Sequence, residues 1–223
     1  MKIGIFGDSF ANKYGTDIWW KYLDTDLGHN VRCFGESGSS LGFSVDLINY
    51  WHQEFDHIIW CATSVNRISF WHKDIAYHNT GTHRPRLIGD RELDQKTTII
   101  HDYLTQAYDS RFQEILGQAL IHFMLAKYRN LTIIPSFNTP VYHMQDPGFN
   151  LYDLCVMETE FFFPTHDSFE IINSTLDRRH GHLTKSNQKI LSTLINNHLQ
   201  HGIFATSYEN FVFDKNLITE FGG

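Results

Sequence analysis

The sequence predicts an α/β domain with parallel strands, on three observations. Short apolar runs alternate with stretches of helical period through the first 63 residues, the pattern of strands joined by right-handed crossovers. Turns rich in Gly and Ser follow the first two runs and a Thr-Ser-Val-Asn segment follows the third, as expected where strands hand over to helices. Finally, 223 residues that are 42% hydrophobic and 15% aromatic hold enough apolar material for one core carrying a sizeable insertion.

Residues 2–6 (KIGIF) form an apolar run ending at Gly7 and read as a buried strand. A helix is predicted over 17–27, where Ile18, Trp19, Trp20, Leu23 and Leu27 make one apolar face. A second strand is expected over 30–34, then a Gly/Ser loop over 35–40. The next helix is expected over 41–55, through Leu41, Val45, Leu47, Ile48 and Trp51, and a third strand over 56–63 (DHIIWCAT). Residues 67–97 are polar, with His72, His78, His83 and Pro85 and no sustained period. They read as a surface excursion of the kind that shapes a binding site. The longest periodic stretch, 98–128, predicts one helix with a face packed on the sheet, a face that would otherwise suit a partner. A fourth strand is predicted over 131–137, irregular structure over 138–176, and a closing helix over 184–200 with Thr184 as its N-cap. One domain is therefore expected over 1–200 with an insertion around 67–97. Residues 201–223 would form an extra strand or a C-terminal arm, which folds back on its own domain or serves as a homo-oligomer contact through Phe204, Tyr208, Phe211 and Phe213.

Composition removes several function classes. Lys+Arg 18 against Asp+Glu 25 gives a net charge of −7 with His neutral, and with no basic block this argues against broad binding to nucleic acid or anionic membrane. The 14 His would carry that charge towards zero in acid. Cys33, Cys61 and Cys155 are too few and too scattered for a disulfide scaffold, and no CxxC pair points to zinc. Pairs such as His78 with His83, or His180 with His182, supply imidazoles for a metal, yet none forms an HxxxH or HExxH set. No apolar run approaches the roughly 20 residues needed to span a bilayer. No signal-peptide h-region is legible, so the expectation is cytoplasmic synthesis, with later release or incorporation in a virion as compatible fates.

Four segments carry chemistry. Gly7-Asp8-Ser9-Phe10 follows the first strand, at the strand end where open α/β sheets bind ligands. Gly35-Glu36-Ser37-Gly38-Ser39-Ser40 follows the second, and its glycines let backbone N–H groups approach a ligand. Thr63-Ser64-Val65-Asn66-Arg67 ends the third strand, where Asn66 is able to aim an amide N–H at a developing oxyanion. Asp177-Arg178-Arg179-His180-Gly181-His182-Leu183-Thr184 precedes the last helix and supplies the carboxylate and imidazoles that a serine nucleophile needs. Taken singly, each is as well explained by ordinary turn chemistry.

In this chain order the four segments resemble the blocks of the SGNH hydrolases, also called GDSL-type esterases. GDSF resembles the nucleophile block, with Phe10 where Leu is usual. GESGSS resembles the second block through Gly38, and TSVNR the third, with Arg67 where Asp often follows the Asn. The resemblance implies a flavodoxin-like three-layer α/β/α sandwich with a mostly parallel sheet. It also implies a serine esterase with nucleophile Ser9, an oxyanion hole of Ser9, Gly38 and Asn66, and no cofactor or metal. The last block departs from the family's Asp-x-x-His. Asp177 and His180 keep the spacing, whereas His182, two residues before Thr184, keeps the placement but has Arg179 where the Asp belongs. His182 is preferred as the base because the helix start fixes its position, and His180 is the alternate. Asp177, or a backbone carbonyl, would orient the imidazole.

The implied substrates are short-chain esters, acetyl esters on glycans first among them, because the excursion and the 138–176 segment carry Phe70, Trp71, Tyr77, Tyr142, Phe149, Tyr152 and Phe161 among polar residues. The His-Leu-Thr ending is similar to SGNH-like proteins of bacteriophage and marine bacterial genomes. A non-catalytic SGNH-fold component of a phage particle, structural or glycan-binding, is the competing reading.

Overall fold

The computed structural model describes residues 1–14, 18–65, 67–73, 75–79, 90–107, 109–136, 183, 185–202 and 211. Strands β1 (Lys2–Gly7), β2 (Asn30–Cys33), β3 (His57–Ala62) and β6 (Leu131–Pro135) make a parallel sheet in the order β2-β1-β3-β6. Register runs from Lys2 opposite Asn30, Ile3 opposite His57 and Ile58 opposite Leu131. Strands β4 (Ile68–His72) and β5 (Ile75–Asn79) form a separate antiparallel hairpin.

The central strands are buried on both faces, which is why their sequences read as continuous apolar runs. Their alternation divides two clusters. Ile3, Ile5, Ile59, Cys61 and Ile134 join one; Phe6, Ile58, Trp60, Ala62, Leu131 and Ile133 join the other. Helix α1 (Trp19–Thr25) and the last helix α5 (Lys185–His201) supply Trp19, Leu23, Leu191 and Ile195 to the first cluster. Helix α2 (Leu41–Trp51) and helix α4 (Ser110–Lys127) supply Leu41, Val45, Ile48, Ile121 and Met124 to the second. The connections β1–α1–β2 and β2–α2–β3 thus contribute to opposite clusters. Burying each of these large side chains contributes about 2 kcal/mol against leaving it in water.

Tertiary partners decide where α1 begins. No side chain of its own caps it; instead the Trp19 N–H donates to Gln188 Oε1 of α5 at 2.9 Å. Its indole N–H donates to the Phe10 carbonyl at 2.8 Å. The expectation for 17–27 therefore narrows to Trp19–Thr25. Helix α2 does start where local chemistry says, with Ser40 Oγ accepting the Phe43 N–H, and it gives way to a 3-10 turn at His52–Glu54.

Two expectations are corrected. The excursion at 67–97 carries the β4–β5 hairpin and, from Arg91, the start of helix α3 (Arg91–Asp102). Five-residue strands are too short to show a period, and the connection at Lys73 (φ 48°) lacks the Asn-Gly signature of such turns. The predicted helix over 98–128 is instead the end of α3, a π turn at Tyr103–Ala107, and α4. The three- and four-residue apolar spacing crosses this break unchanged. The legible signal was Asp109, whose carboxylate accepts the Phe112 N–H and caps α4. Only the C-terminal part of the stretch packs on the sheet, through Ile121, Met124 and Tyr128; Phe112, Ile115, Leu116 and Phe123 are exposed.

Residues 138–176, Thr184 and most of the tail lie outside the described residues. Phe211 is buried in the cluster of Leu191 and Ile195. Among the described residues, no helix is long and apolar enough to cross a membrane.

A polar link joins β3, β6 and α5 on one face of the sheet. His57 Nε2 lies 2.8 Å from Thr132 Oγ1, which lies 3.1 Å from His198 Nε2. Burial, then repulsion by His198, lowers His57 from its usual 6.5 to about 4. The depressed value means the folded state binds this proton less tightly than the unfolded chain. Stability is therefore full above pH 6.5 and falls as the pH drops towards about 4. A loss of roughly 2 kcal/mol is expected after discounting for partial exposure. Urea titrations at pH 7 and pH 4.5 should show a smaller acid loss in His57→Gln, which keeps a partner for Thr132 and does not titrate.

Candidate functional site

The strand order places a topological switch at β1 and β3, because the connections leaving β1 and β2 contribute to opposite sides of the sheet. Crevices at such points, beyond the carboxyl ends of the strands, are where open α/β sheets take ligands. Ser9 is the second residue after β1 there, and the segment of Asn66 follows β3.

Asp8 organises this end of the sheet. It is fully buried. Its Oδ1 accepts the Phe10 N–H and the Ser136 hydroxyl, both at 3.1 Å; its Oδ2 accepts the Thr63 hydroxyl at 2.9 Å and Arg67 Nη1 at 2.8 Å. Four donors fill the two oxygens. Thr63 and Ser136 directly follow β3 and β6, so one carboxylate ties together the ends of three adjacent strands. Burial pushes the Asp8 carboxyl up; Arg67 and the three neutral donors oppose it. The same burial lowers Arg67, which Asp8 counters. With every donor aimed at it, the carboxylate form is the one this site is built to hold, and it has no free lone pair for orienting an imidazole.

Asp8 also caps the 3-10 turn Ser9–Ala11, which starts with the half-buried Ser9. The second loop hangs from the same strand end: the Gly7 carbonyl accepts the Glu36 N–H at 3.0 Å and the Ser39 hydroxyl at 2.9 Å. Within it, Ser39 N–H donates to the Glu36 carbonyl at 3.1 Å, and Gly38, at φ 81°, occupies the third position of the turn, where type II turns require glycine. Gly35 is held by close approach instead: a Cβ there would lie 1.7 Å from the Ala11 carbonyl oxygen. The Lys13 N–H donates to the Gly35 carbonyl at 3.0 Å, so the segment after Ser9 and the second loop are in register.

The sequence-predicted residues divide accordingly. Ser9 and Gly38 sit on two loops fastened to β1. Asn66, Asp177, His180 and His182 lie outside the described residues. Arg67, beside Asn66, reaches Asp8, and Leu183, beside His182, is buried in the cluster that holds Phe10 and Ala11. Sequence reasoning gave Asp8, Thr63 and Ser136 no role of their own, and it read Arg67 only as a departure from the family pattern. Charge at a strand end was the available signal, but its partners are 55 to 128 residues away. Among the described residues, no group of three His, Cys, Asp or Glu side chains is arranged to hold a metal ion.

No family model matches this chain, and no curated protein matches it. Among solved structures it is similar to a member of the lipolytic protein G-D-S-L family from Veillonella parvula DSM 2008. The two are 13% identical with a TM-score of 0.34, covering 90% of this chain and 97% of that one.

Breaking the buried pair should be costly. Asp8→Asn leaves Arg67 without its counter-charge and is expected to lower the unfolding free energy by about 3 kcal/mol or more in urea titrations. Asp8→Asn combined with Arg67→Met should cost less than the sum of the two single changes. Gly35→Ala should destabilise by roughly 2 kcal/mol or more, because backbone atoms must move to admit the methyl group.

Proposed function

We propose that this chain is a serine ester hydrolase of the SGNH type, with Ser9 as nucleophile on a flavodoxin-like three-layer scaffold. The observation that carries the reading is the fastening of the Ser9 turn, the Gly38 loop and the Arg67 segment to the carboxyl end of β1, at the sheet's switch point. A nucleophile and several amide donors need that convergence to act on one carbonyl.

In the proposed reaction, Ser9 Oγ attacks the ester carbonyl carbon and its proton passes to the imidazole of His182, with His180 the alternate. The carbonyl oxygen, now an oxyanion, takes hydrogen bonds from the Ser9 and Gly38 backbone N–H groups and the Asn66 side-chain amide. Collapse breaks the bond to the leaving alcohol, which receives the proton from the imidazolium. Water then attacks the acyl-enzyme by the same steps, releasing the carboxylic acid and restoring Ser9. Asp177 orients the imidazole and stabilises its charged form. The substrates are short acyl esters, with acetyl groups on glycans the first class to assay.

Ser9→Ala is expected to reduce hydrolysis of an activated acetyl ester at least a thousandfold, leaving only what binding and the oxyanion hole supply. Asn66→Ala should lower kcat by roughly a hundredfold. A fluorophosphonate should label Ser9 in the parent, located by peptide mapping. Parental rates in both variants would overturn the reading, and a parent that neither hydrolyses the ester nor labels at Ser9 would favour a binding or structural protein.

A further inference from the structure

The β4–β5 hairpin is joined to the Gly38 loop through Ser69 and His78, two side chains that the four motifs do not include. Ser69 of β4 and His78 of β5 are directly opposite each other. Ser69 Oγ accepts the Ser40 N–H at 2.9 Å and lies 2.8 Å from His78 Nδ1. His78 Nε2 lies 3.2 Å from Glu36 Oε2, and Glu36 Oε1 pairs with Lys13 Nζ. The donors and acceptors balance in one way for the neutral ring. Ser69 uses its proton on Nδ1, leaving Nε2–H to donate to Glu36. The chain thus begins on Lys13, four residues after Ser9, and ends on the backbone N–H of Ser40, two residues after Gly38.

Both ends of the loop are pinned, Glu36 at one and Ser40 at the other, with Gly38 midway. The pins are sheltered. The His78 side chain is 11% exposed and its ring packs edge-on against Phe43, centroids 4.8 Å apart. Partial burial alone would raise the Glu36 carboxyl; the hydrogen bonds from Lys13 and His78 outweigh it and hold the group below its ordinary value. Glu36 is therefore a carboxylate shared by the nucleophile segment, the loop and the hairpin.

We infer that Ser69, His78 and Glu36 are positioning residues, through which the inserted hairpin holds the Gly38 N–H where the oxyanion forms. This rests on the reading of Ser9 as the nucleophile. A loop displaced by about 1 Å loses rate far more than it loses binding, so the effect falls on kcat.

The experiment uses the full chain and a small activated acetyl ester, with fluorophosphonate labelling of Ser9 as a second readout. Ser69→Ala and His78→Phe, the latter keeping the packing on Phe43, should each lower kcat and the labelling rate about tenfold, with KM within about twofold. Ser69→Thr, which keeps the hydroxyl, should restore most of both. Ile75→Ser, at the exposed hairpin tip, should match the parent and so separates the bonding chain from the hairpin's mere folding. Hydrogen exchange at the Ser40 amide should speed up in Ser69→Ala and not in Ser69→Thr. If Ser9→Ala is inactive while Ser69→Ala and His78→Phe keep the parental kcat and labelling rate, the inference is overturned and the hydrolase reading stands. If Ser9→Ala itself keeps parental activity, both fall together.

Discussion

A single buried carboxylate sets the geometry of the carboxyl end of the sheet. Asp8 has no contact with solvent and receives donors from its own turn, from the residues just after β3 and β6, and from Arg67. A charge in that position is tolerable only while each of its lone pairs is occupied. Three strand ends and the 3-10 turn are consequently held to one arrangement by the cost of leaving any donor out. The turn that begins with Ser9 inherits its position from this constraint.

The second loop is fixed from below and from above. Below, the Gly7 carbonyl accepts two of its donors; above, the hairpin reaches Ser40 and Glu36. Hydrogen bonds to backbone groups are directional and weak singly, at about 1 kcal/mol each. Several of them converging on a six-residue loop restrict it more than any one does. Gly35 and Gly38 serve that arrangement in different ways, the first by admitting the Ala11 carbonyl and the second by adopting a backbone angle that a side chain would strain.

Away from the site the sheet follows simpler rules. Alternation along β1, β3 and β6 sends apolar side chains to both faces, and helices contribute to each of the two clusters. Thr132 in β6 is a polar exception, and it joins His57 to His198. Helix α4 departs from a fully packed face, because the chain breaks at Tyr103–Ala107 and only its later turns reach the sheet.

The sequence by itself determined the parallel sheet and the placement of the turns after β1, β2 and β3, because apolar runs and helical spacing are local and each turn lies within a few residues of the strand it follows. Ser40 and Asp109 as helix caps were equally local, although Asp109 was masked by an apolar period that ran straight through it. Only the tertiary structure decided that Asp8, Thr63, Arg67 and Ser136 form one cluster, that Gln188 starts α1, and that a polar insertion folds as a hairpin bonded to the Gly38 loop. Those choices rest on hydrogen bonds and ion pairs between residues far apart in the chain. Polar residues carry no period that announces a distant partner, and what fixes them is the cost of leaving a buried group unpaired once the strands have come together.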